Sequence, residues 1–304
     1  MKDLFNVNEG LFKSAREGKP SGTVFTVLLP IIAQLATTLL LIIPVVIIQI
    51  FLSMNPIILM RYGFQITLIL STGAMIIFYF LIIKFKEKRS IASIGLSFNK
   101  STVYEYISGF LIGILLMGIV SVLIVVTGNG SFEFNNNLNM SFIGPFVVVL
   151  IGWIIQGASE EIMMRGHMMP VLGNKFGPII GILISSAYFG ALHLMNPGVS
   201  PWSVVNLVLF GIFAAVFAIY KKSLWGVCAL HSAWNFAQGN VFGFLVSGMD
   251  AEGGKLITSR ITENNIINGG TFGPEGGIMT TVVLVIAIGI VTYLLRKKNL
   301  ASKA

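Results

Sequence analysis

Charged side chains are scarce in this sequence of 304 residues, of which Asp, Glu, Lys and Arg together make up 11%. Soluble domains carry about 25% of these residues. Hydrophobic residues here reach 55%, and the mean hydropathy is +0.87. The composition therefore excludes an ordinary soluble domain and predicts a membrane protein whose chain crosses the bilayer several times.

Several common sequence signals are also missing. Cys228 is the single cysteine, which excludes an intramolecular disulfide and any CxxC metal motif, and we expect it to be a packing residue. The sequence lacks the HExxH motif of zinc proteases, the internal repeat that many transporters show, and the alternation typical of a membrane barrel. These absences leave one class of structure, a helical bundle without a recognised metal motif.

The basic residues lie beside the apolar runs. A net charge of +8 could indicate nucleic-acid binding, but no basic face interleaved with aromatic residues is present, so we expect no nucleic-acid partner. If the N-terminus is cytoplasmic, 17 of the 20 Lys and Arg residues fall in inner segments, and only Arg61, Lys255 and Arg260 fall in outer loops. The positive-inside rule therefore predicts that both termini are cytoplasmic.

Eight apolar stretches approach the roughly 20 residues that a membrane span needs. They are 23–52, 62–83, 106–127, one from residue 142, two between 177 and 220 that the sequence NPGVSP separates, 223–246, and 278–295. We predict an all-α fold, a polytopic membrane bundle of about eight transmembrane helices in the lipid bilayer, and we expect a bacterial plasma membrane.

Ionisable side chains inside such runs cost roughly 2.5–3.5 kcal/mol each and by default indicate function. Five ionisable residues lie in or beside the apolar runs, and one amide shares a helix face with one of them. These candidate site residues are Glu160, Glu161, Arg165, His193, His231 and Asn235. Residues four apart share one face of a helix. Glu161 can therefore pair with Arg165, His231 lies on one face with Asn235, and Phe189 lies one turn before His193.

A hairpin between the fourth and fifth spans would bring the first two groups together. Its turn is predicted at GNKFG, residues 173–177, and reflection about residue 176 places Glu160 opposite residue 192. His231 follows Lys222 by nine residues, about 13 Å along a helix, and would reach the same level. The site should then lie inside the bilayer, toward the cytoplasm.

This placement leaves few residues for the rest of the fifth span. The chain from Leu194 to Pro201 would have to cover the remaining distance to the outside. Either the fifth span is broken, or the site lies deeper in the membrane. Irregular backbone at membrane depth requires cover by protein or by a water-filled cavity, so we infer a hydrated cavity.

Each of these residues also has a purely structural interpretation. Glu161 and Arg165 can form a buried pair that only fixes packing, and the two histidines can be hydrogen-bonded core residues. Arg165 cannot neutralise both neighbouring carboxylates, however, so Glu160 is left for proton chemistry. His167, beside Arg165, is expected at the interface.

The residues Glu160-Glu161-x-x-x-Arg165, Phe189-x-x-x-His193 and His231-x-x-x-Asn235 resemble the ordered motifs of the CPBP family. That family contains the CAAX prenyl endopeptidases and bacterial relatives associated with bacteriocin processing or immunity. The resemblance covers roughly residues 142–238. We therefore divide the chain into N-terminal helices in 1–141, a catalytic core in 142–246, and a polar loop with a last helix in 247–304.

The resemblance implies an intramembrane endopeptidase that hydrolyses peptide bonds with a glutamate-activated water. Glu160 would be the general base, and His193 would help hold the water. His231 and Asn235 would line the oxyanion site, and Arg165 would orient the carboxylates of Glu160 and Glu161. No cofactor is expected in this mechanism.

Zinc is the alternative, with Glu160, His193 and His231 as ligands, because two His and one Glu can hold zinc with one position open. An immunity or scaffold protein that keeps the same polar core is the alternative function, and a small-solute transporter is a third. As partners we expect a peptide or a membrane-anchored protein as the substrate.

Overall fold

The computed structural model describes residues 4–301 and confirms an all-α fold. The helices are α1 Gly10–Ser14, α2 Thr23–Ser53, α3 Pro56–Leu81, α4 Thr102–Val126, α5 Met140–Glu161, α6 Met169–Phe176, α7 Pro178–Ala191, α8 Pro201–Lys221, α9 Trp225–Phe236 and α10 Ile278–Ala301. Three π-helical segments extend them, at Ile82–Lys86, Ile162–Met168 and Ala237–Val241. The two strands are β1 Gly130–Phe134 and β2 Ile257–Ile261.

Six helical segments of the described chain are long and apolar enough to cross a membrane. They are Thr23–Ser53, Pro56–Lys86, Thr102–Val126, Met140–Phe176, Pro201–Lys221 and Ile278–Ala301. Large apolar side chains point away from the protein on these helices, and Leu39 and Leu40 of α2 are 74% and 71% exposed. Such surfaces suit lipid rather than water, and the protein is an integral membrane bundle.

The other two predicted spans are shorter than expected. α7 has 14 residues, and α9 has 12 before the π-helical segment carries the helix on to Val241. The seventh predicted span therefore ends at residue 241 rather than at 246. α7 packs against α6 and α8, whereas α9 is buried along almost its whole length.

The fifth span is broken after Ala191, which is the first of the two alternatives that the sequence left open. Residues 192–198 form turns, and Pro197 has no N–H to extend a helix. The side chain of Ser200 then caps α8 by accepting a hydrogen bond from Ser203 N at 3.1 Å, and Pro201 occupies the first turn. His193 thus lies just beyond the end of α7.

α9 lies at the centre of the bundle and packs mainly against α4 and α5. Each residue from Gly226 to Phe236 is buried. Small residues allow the close approach of α4, since a Cβ on Gly109 would lie 2.0 Å from the Gly226 carbonyl oxygen, and one on Gly113 would lie 2.3 Å from that of Leu230. Close packing over small residues is a common way to join membrane helices.

The helix that begins at Met140 is irregular where the opening motif lies. The π-helical segment Ile162–Met168 separates α5 from α6, and Pro170 follows in the first turn of α6. Proline cannot donate the backbone hydrogen bond of a regular helix, so a local change of helix type is expected before it. π-helical turns are frequent at functional sites.

The polar segment before α10 folds back onto the bundle. β2 pairs antiparallel with β1, with Gly130 opposite Ile261. Further along, Asn206 Nδ2 on α8 donates to the carbonyl oxygens of Glu275 and Gly277, each at 2.8 Å. Residues of this segment therefore reach the ends of α8 and α9 in the interior.

Candidate active site

Glu161 and Arg165 form an ion pair with no exposure to solvent. Arg165 Nη1 donates to Glu161 Oε1 at 2.9 Å, and both side chains are fully buried. The guanidinium carbon of Arg165 also lies 4.9 Å from the ring centroid of Phe189, within the range of a cation–π contact. The pairing that the spacing predicted is present although Arg165 lies in a π-helical segment.

His231 joins this ion pair to the second carboxylate. Its Nδ1 lies 2.8 Å from Glu161 Oε1, and its Nε2 lies 3.5 Å from Glu160 Oε2. The first distance is a hydrogen bond and the second a looser ionic contact. The side chains thus form a continuous row in the order Arg165, Glu161, His231, Glu160.

Glu160 faces a cavity of about 330 Å³. Its side chain is 22% exposed, whereas that of Glu161 has no exposure. The polar lining of the cavity comprises Gln34, Ser71, Thr72, Gln156, Ser159, Glu160, His193, Asn196, His231, Asn235, Ser247 and Glu275. Glu160 is therefore the carboxylate of the opening motif that a water or a substrate can reach, while Glu161 lies behind His231.

His193 reaches the cavity from the turn after α7. Its Nδ1 lies 2.8 Å from the carbonyl oxygen of Phe189, and the two rings are 4.9 Å apart. Because a carbonyl oxygen only accepts hydrogen bonds, Nδ1 carries the proton in this contact. Nε2 of a neutral His193 is then an acceptor.

Asn235 lies on α9, one turn beyond His231. Its Nδ2 donates to Gln156 Oε1 at 2.9 Å. A side-chain amide has two N–H groups, so this contact fixes the orientation of Asn235 and leaves it a second donor. Asn235 and Gln156 both line the cavity.

Aromatic rings fix His231 from its apolar sides. The Phe210 ring stands edge-on at 4.9 Å from the His231 ring, and the Phe189 ring stands edge-on at 5.8 Å. His231 is 3% exposed. The ring therefore has little freedom to turn away from the two carboxylates.

The alternative zinc ligands Glu160, His193 and His231 do not form a metal site in the structure. Within residues 4–301, no three His, Cys, Asp or Glu side chains are grouped so as to hold a metal ion. Nδ1 of His231 is engaged by Glu161, and its Nε2 faces Glu160. The three predicted ligands are therefore not gathered around one point, as a zinc site requires.

His167 belongs to a separate buried cluster rather than to the interface. Its Nε2 lies 2.9 Å from Glu87 Oε1, and Arg89 Nε donates to Glu87 Oε2 at 3.0 Å. Burial alone would raise the pKa of the Glu87 carboxyl, but hydrogen bonds from His167 and Ser21 and the charges of His167 and Arg89 lower the pKa to about 2. This cluster ties the chain before α2 to the π-helical segment of the motif.

Three contributors to the site do not stand out in the sequence. Gln156 lies one turn before Glu160 in an apolar helix, and that spacing could have identified it. Phe210 has no distinguishing signal among 23 phenylalanines. Glu275 is the one carboxylate of the sequence FGPEGG, but its approach to the cavity depends on the folding of a long loop.

Comparison with known proteins finds a family model that is similar to the central part of the chain. Residues 142–237 match the family model described as Rce1-like: type II CAAX prenyl endopeptidase Rce1-like. The match confirms the resemblance drawn from the three motifs, all of which lie inside it. No curated protein matches the chain. The matched family is a protease family, which supports a peptide hydrolase in general terms.

Proposed function

We propose that this chain, whose residues 142–237 match the Rce1-like family model, is an intramembrane endopeptidase that uses Glu160 to activate water. One observation carries the proposal. Glu160 is the carboxylate of the motif that opens onto a polar cavity, and the same cavity is lined by His193, His231 and Asn235.

The proposed reaction begins with a water held between Glu160 and His193. Glu160 accepts a proton from the water, and the oxygen attacks the carbonyl carbon of the scissile peptide bond. The carbon–nitrogen bond then breaks, and the proton passes from Glu160 to the leaving amine. His193 Nε2 assists as an acceptor for the second hydrogen of the water, because its Nδ1 donates to Phe189.

His231 and Asn235 are proposed to stabilise the developing oxyanion. Glu161 accepts a hydrogen bond from His231 Nδ1, so Nε2 is a donor only when the imidazole is protonated. The carboxylate of Glu161 at 2.8 Å and that of Glu160 at 3.5 Å are placed to balance the charge of a protonated imidazole. Together with the free N–H of Asn235, the site then offers two donors to one oxygen, the arrangement that stabilises acyl-transfer transition states.

In this proposal Glu161 and Arg165 do not touch the substrate and act only by positioning His231. Arg165 holds Glu161, and Glu161 holds His231, at 2.9 Å and 2.8 Å. Neither side chain lines the cavity. They are positioning residues, and the reaction uses no metal.

The substrate is proposed to be a peptide or a membrane-anchored protein that reaches the cavity within the bilayer. The distribution of basic residues supports an orientation with both termini in the cytoplasm. A bacterial plasma membrane is the proposed location, and the bacteriocin-related members of the family make a small bacterial peptide a reasonable substrate.

A comparison of released peptides tests the function. Membrane vesicles containing the wild-type protein or Glu160→Gln are incubated, and the released peptides are identified by mass spectrometry. We expect a set of products that depends on Glu160 and that persists in Glu133→Gln, a matched change of an exposed glutamate on β1. Identical products from wild type and Glu160→Gln would reject the protease. Stable binding of a protein partner without any cleavage would favour an immunity or scaffold function.

A further inference from the structure

Glu275 places a second carboxylate on the cavity, far from the opening motif in sequence. The residue lies in the short helical turn Pro274–Gly276 before α10, and it is 8% exposed. Its backbone is fixed from two sides, because Asn206 Nδ2 donates to its carbonyl oxygen at 2.8 Å and Thr280 Oγ1 donates to that of Pro274 at 2.6 Å. The direction of the Glu275 side chain is therefore set by the fold.

The carboxylate of Glu275 is held by neutral donors. Oε2 accepts hydrogen bonds from Ser247 N at 2.9 Å, from Ser247 Oγ at 2.8 Å and from Gln238 Nε2 at 3.3 Å. Oε1 accepts one long hydrogen bond, from Trp234 Nε1 at 3.3 Å. A carboxylate can accept about four hydrogen bonds, two on each oxygen. Three of the four donors contact Oε2, so Oε1 can accept one more hydrogen bond from a group in the cavity.

No cation of the described chain compensates this charge. Buried charges are normally paired, yet the ion pairs within residues 4–301 do not include Glu275. The residues that line the cavity include Glu160 and Glu275 but no Lys or Arg. The cavity therefore has two carboxylates, and the one cation proposed in its lining, the protonated His231, faces Glu160 and Glu161 rather than Glu275.

We propose that Glu275 binds a positively charged group of the substrate, an ammonium or a guanidinium, and so selects cationic peptides for the site. This proposal rests on the proposed endopeptidase function and gives its substrate class. Asn196 lines the same cavity and offers a further acceptor, its side-chain carbonyl oxygen, to such a group. The charge of the substrate would supply the counter-charge that Glu275 lacks.

The spacing along α9 predicts where the cation lies in the peptide. Glu160 contacts His231 on α9, and Glu275 contacts Trp234 on the same helix and Gln238 in the π-helical segment that continues it. The interval from residue 231 to residues 234–238 is roughly 5–10 Å at a rise of 1.5 Å per residue. An extended peptide covers that distance in about two or three residues, so the cation should lie that far from the scissile bond.

Binding of matched peptides separates this proposal from the catalytic one. The probes are synthetic peptides of one apolar sequence with a single lysine or norleucine, each with a free or an acetylated N-terminus, so that a side-chain ammonium and a terminal amine are told apart. They are titrated against the full-length protein in detergent in a Glu160→Gln background, where no turnover is needed. We expect the cationic peptide to bind about ten- to a hundredfold more tightly, the range expected for a hydrogen bond to a charged group.

Two further variants, made in the Glu160→Gln protein, test whether the preference for the cationic peptide comes from Glu275. Glu275→Gln keeps the shape and an acceptor for Ser247 but loses the charge, and it should abolish the preference. Ser247→Ala also removes one hydrogen bond from this carboxylate but leaves its charge, and it should keep the preference. A similar loss in both variants would mean that Glu275 only holds the loop, and the proposal would be wrong.

If Glu275→Gln does not fold, the proposal can still be tested with protein that retains Glu275. Equal binding of the lysine and norleucine peptides by the protein with Glu275 intact contradicts the proposal without any variant of Glu275. Cleavage sites mapped in a library of membrane-protein peptides with wild-type protein provide the second measurement. They should show Lys or Arg two or three residues from the cut bond. If no peptide is cleaved, the endopeptidase fails, while the binding preference still decides the role of Glu275.

Discussion

His231 Nδ1 lies 2.8 Å from Glu161 Oε1, the same oxygen that Arg165 binds at 2.9 Å. The two adjacent glutamates therefore have different roles. Glu161 is buried and accepts a hydrogen bond from His231, whereas Glu160 faces the cavity. This relationship explains why a chain so poor in charge carries two neighbouring carboxylates and a guanidinium at one place.

Arg165→Ala should destabilise the protein. The change removes the guanidinium that pairs with the buried carboxylate of Glu161, and breaking a buried pair costs about 3–5 kcal/mol. Thermal melting in detergent measures the effect. Lys222→Ala is the control, because the Lys222–Glu9 pair is about half exposed and such pairs contribute about 0–1 kcal/mol. Similar melting temperatures for the two variants would show that Arg165 is not required for stability.

Gln156→Ala should reduce turnover by releasing Asn235. Gln156 orients the amide of Asn235 through a hydrogen bond of 2.9 Å, and loss of one oxyanion donor typically costs about 10²–10³-fold in kcat. Asn235→Ala should show a loss of that order, and Gln156→Ala a smaller one with the fold intact. Gln34→Ala, a change of another cavity glutamine, is the control. An unchanged kcat in Asn235→Ala would exclude it as an oxyanion donor.

The loop bearing β1 and the loop bearing β2 must lie on one side of the membrane, because Gly130 pairs with Ile261. Single cysteines at Ser131 or Thr262, introduced in a Cys228→Ala background, should react with an impermeant maleimide on intact cells. A cysteine at Ser90 should react only after permeabilisation. Labelling of the first two from opposite sides would refute the strand pairing, and labelling of both only from inside would reverse the proposed orientation.

The cluster around Glu87 predicts a loss of stability in acid. The pKa of this carboxyl is about 2 in the folded protein and rises toward its ordinary value near 4.5 when the chain unfolds. Its contribution, about 3 kcal/mol, is complete above pH 4.5 and is lost as the pH falls toward 2. Melting temperatures between pH 6 and 3 should therefore fall more steeply for wild type than for Glu87→Gln.

Glu133→Gln is the control for this measurement. The carboxyl of Glu133 has a lowered pKa because of a hydrogen bond and charge interaction with Arg260, but it is fully exposed. Solvent screens that interaction, so the variant should keep the acid profile of wild type. Parallel profiles for wild type and Glu87→Gln would contradict the stabilising role of the cluster.

Local spacing predicted the parts of the site that depend on one helix. The contact between Glu161 and Arg165 and the ring contact between Phe189 and His193 both follow from a separation of four residues. The hairpin turn at Gly177 followed from the break between two apolar runs. The broken fifth span was one of two alternatives, and the backbone preferences of the Pro-Gly sequence decide it.

Longer-range features could not be predicted in this way. The hydrogen bond between His231 and Glu161 joins residues 70 positions apart, and Glu275 reaches Ser247 across 28 positions. Hydropathy sets which segments enter the membrane, but it does not set how a helix is rotated or where a loop folds back. His167 was expected at the interface for the same reason, because its partner Glu87 is 80 residues away.

Steady-state kinetics of Glu160→Gln test the central claim most directly. Wild type, Glu160→Gln and the surface control Glu133→Gln are purified, their melting temperatures are compared, and cleavage is followed with a peptide identified from the vesicle products. The substitution keeps the size and hydrogen-bonding capacity of the side chain, so the melting temperature should stay near that of wild type. General-base catalysis contributes about 10²–10⁴-fold, so kcat should fall by at least that order. A folded Glu160→Gln protein that cleaves the peptide at the wild-type rate would contradict Glu160 as the base.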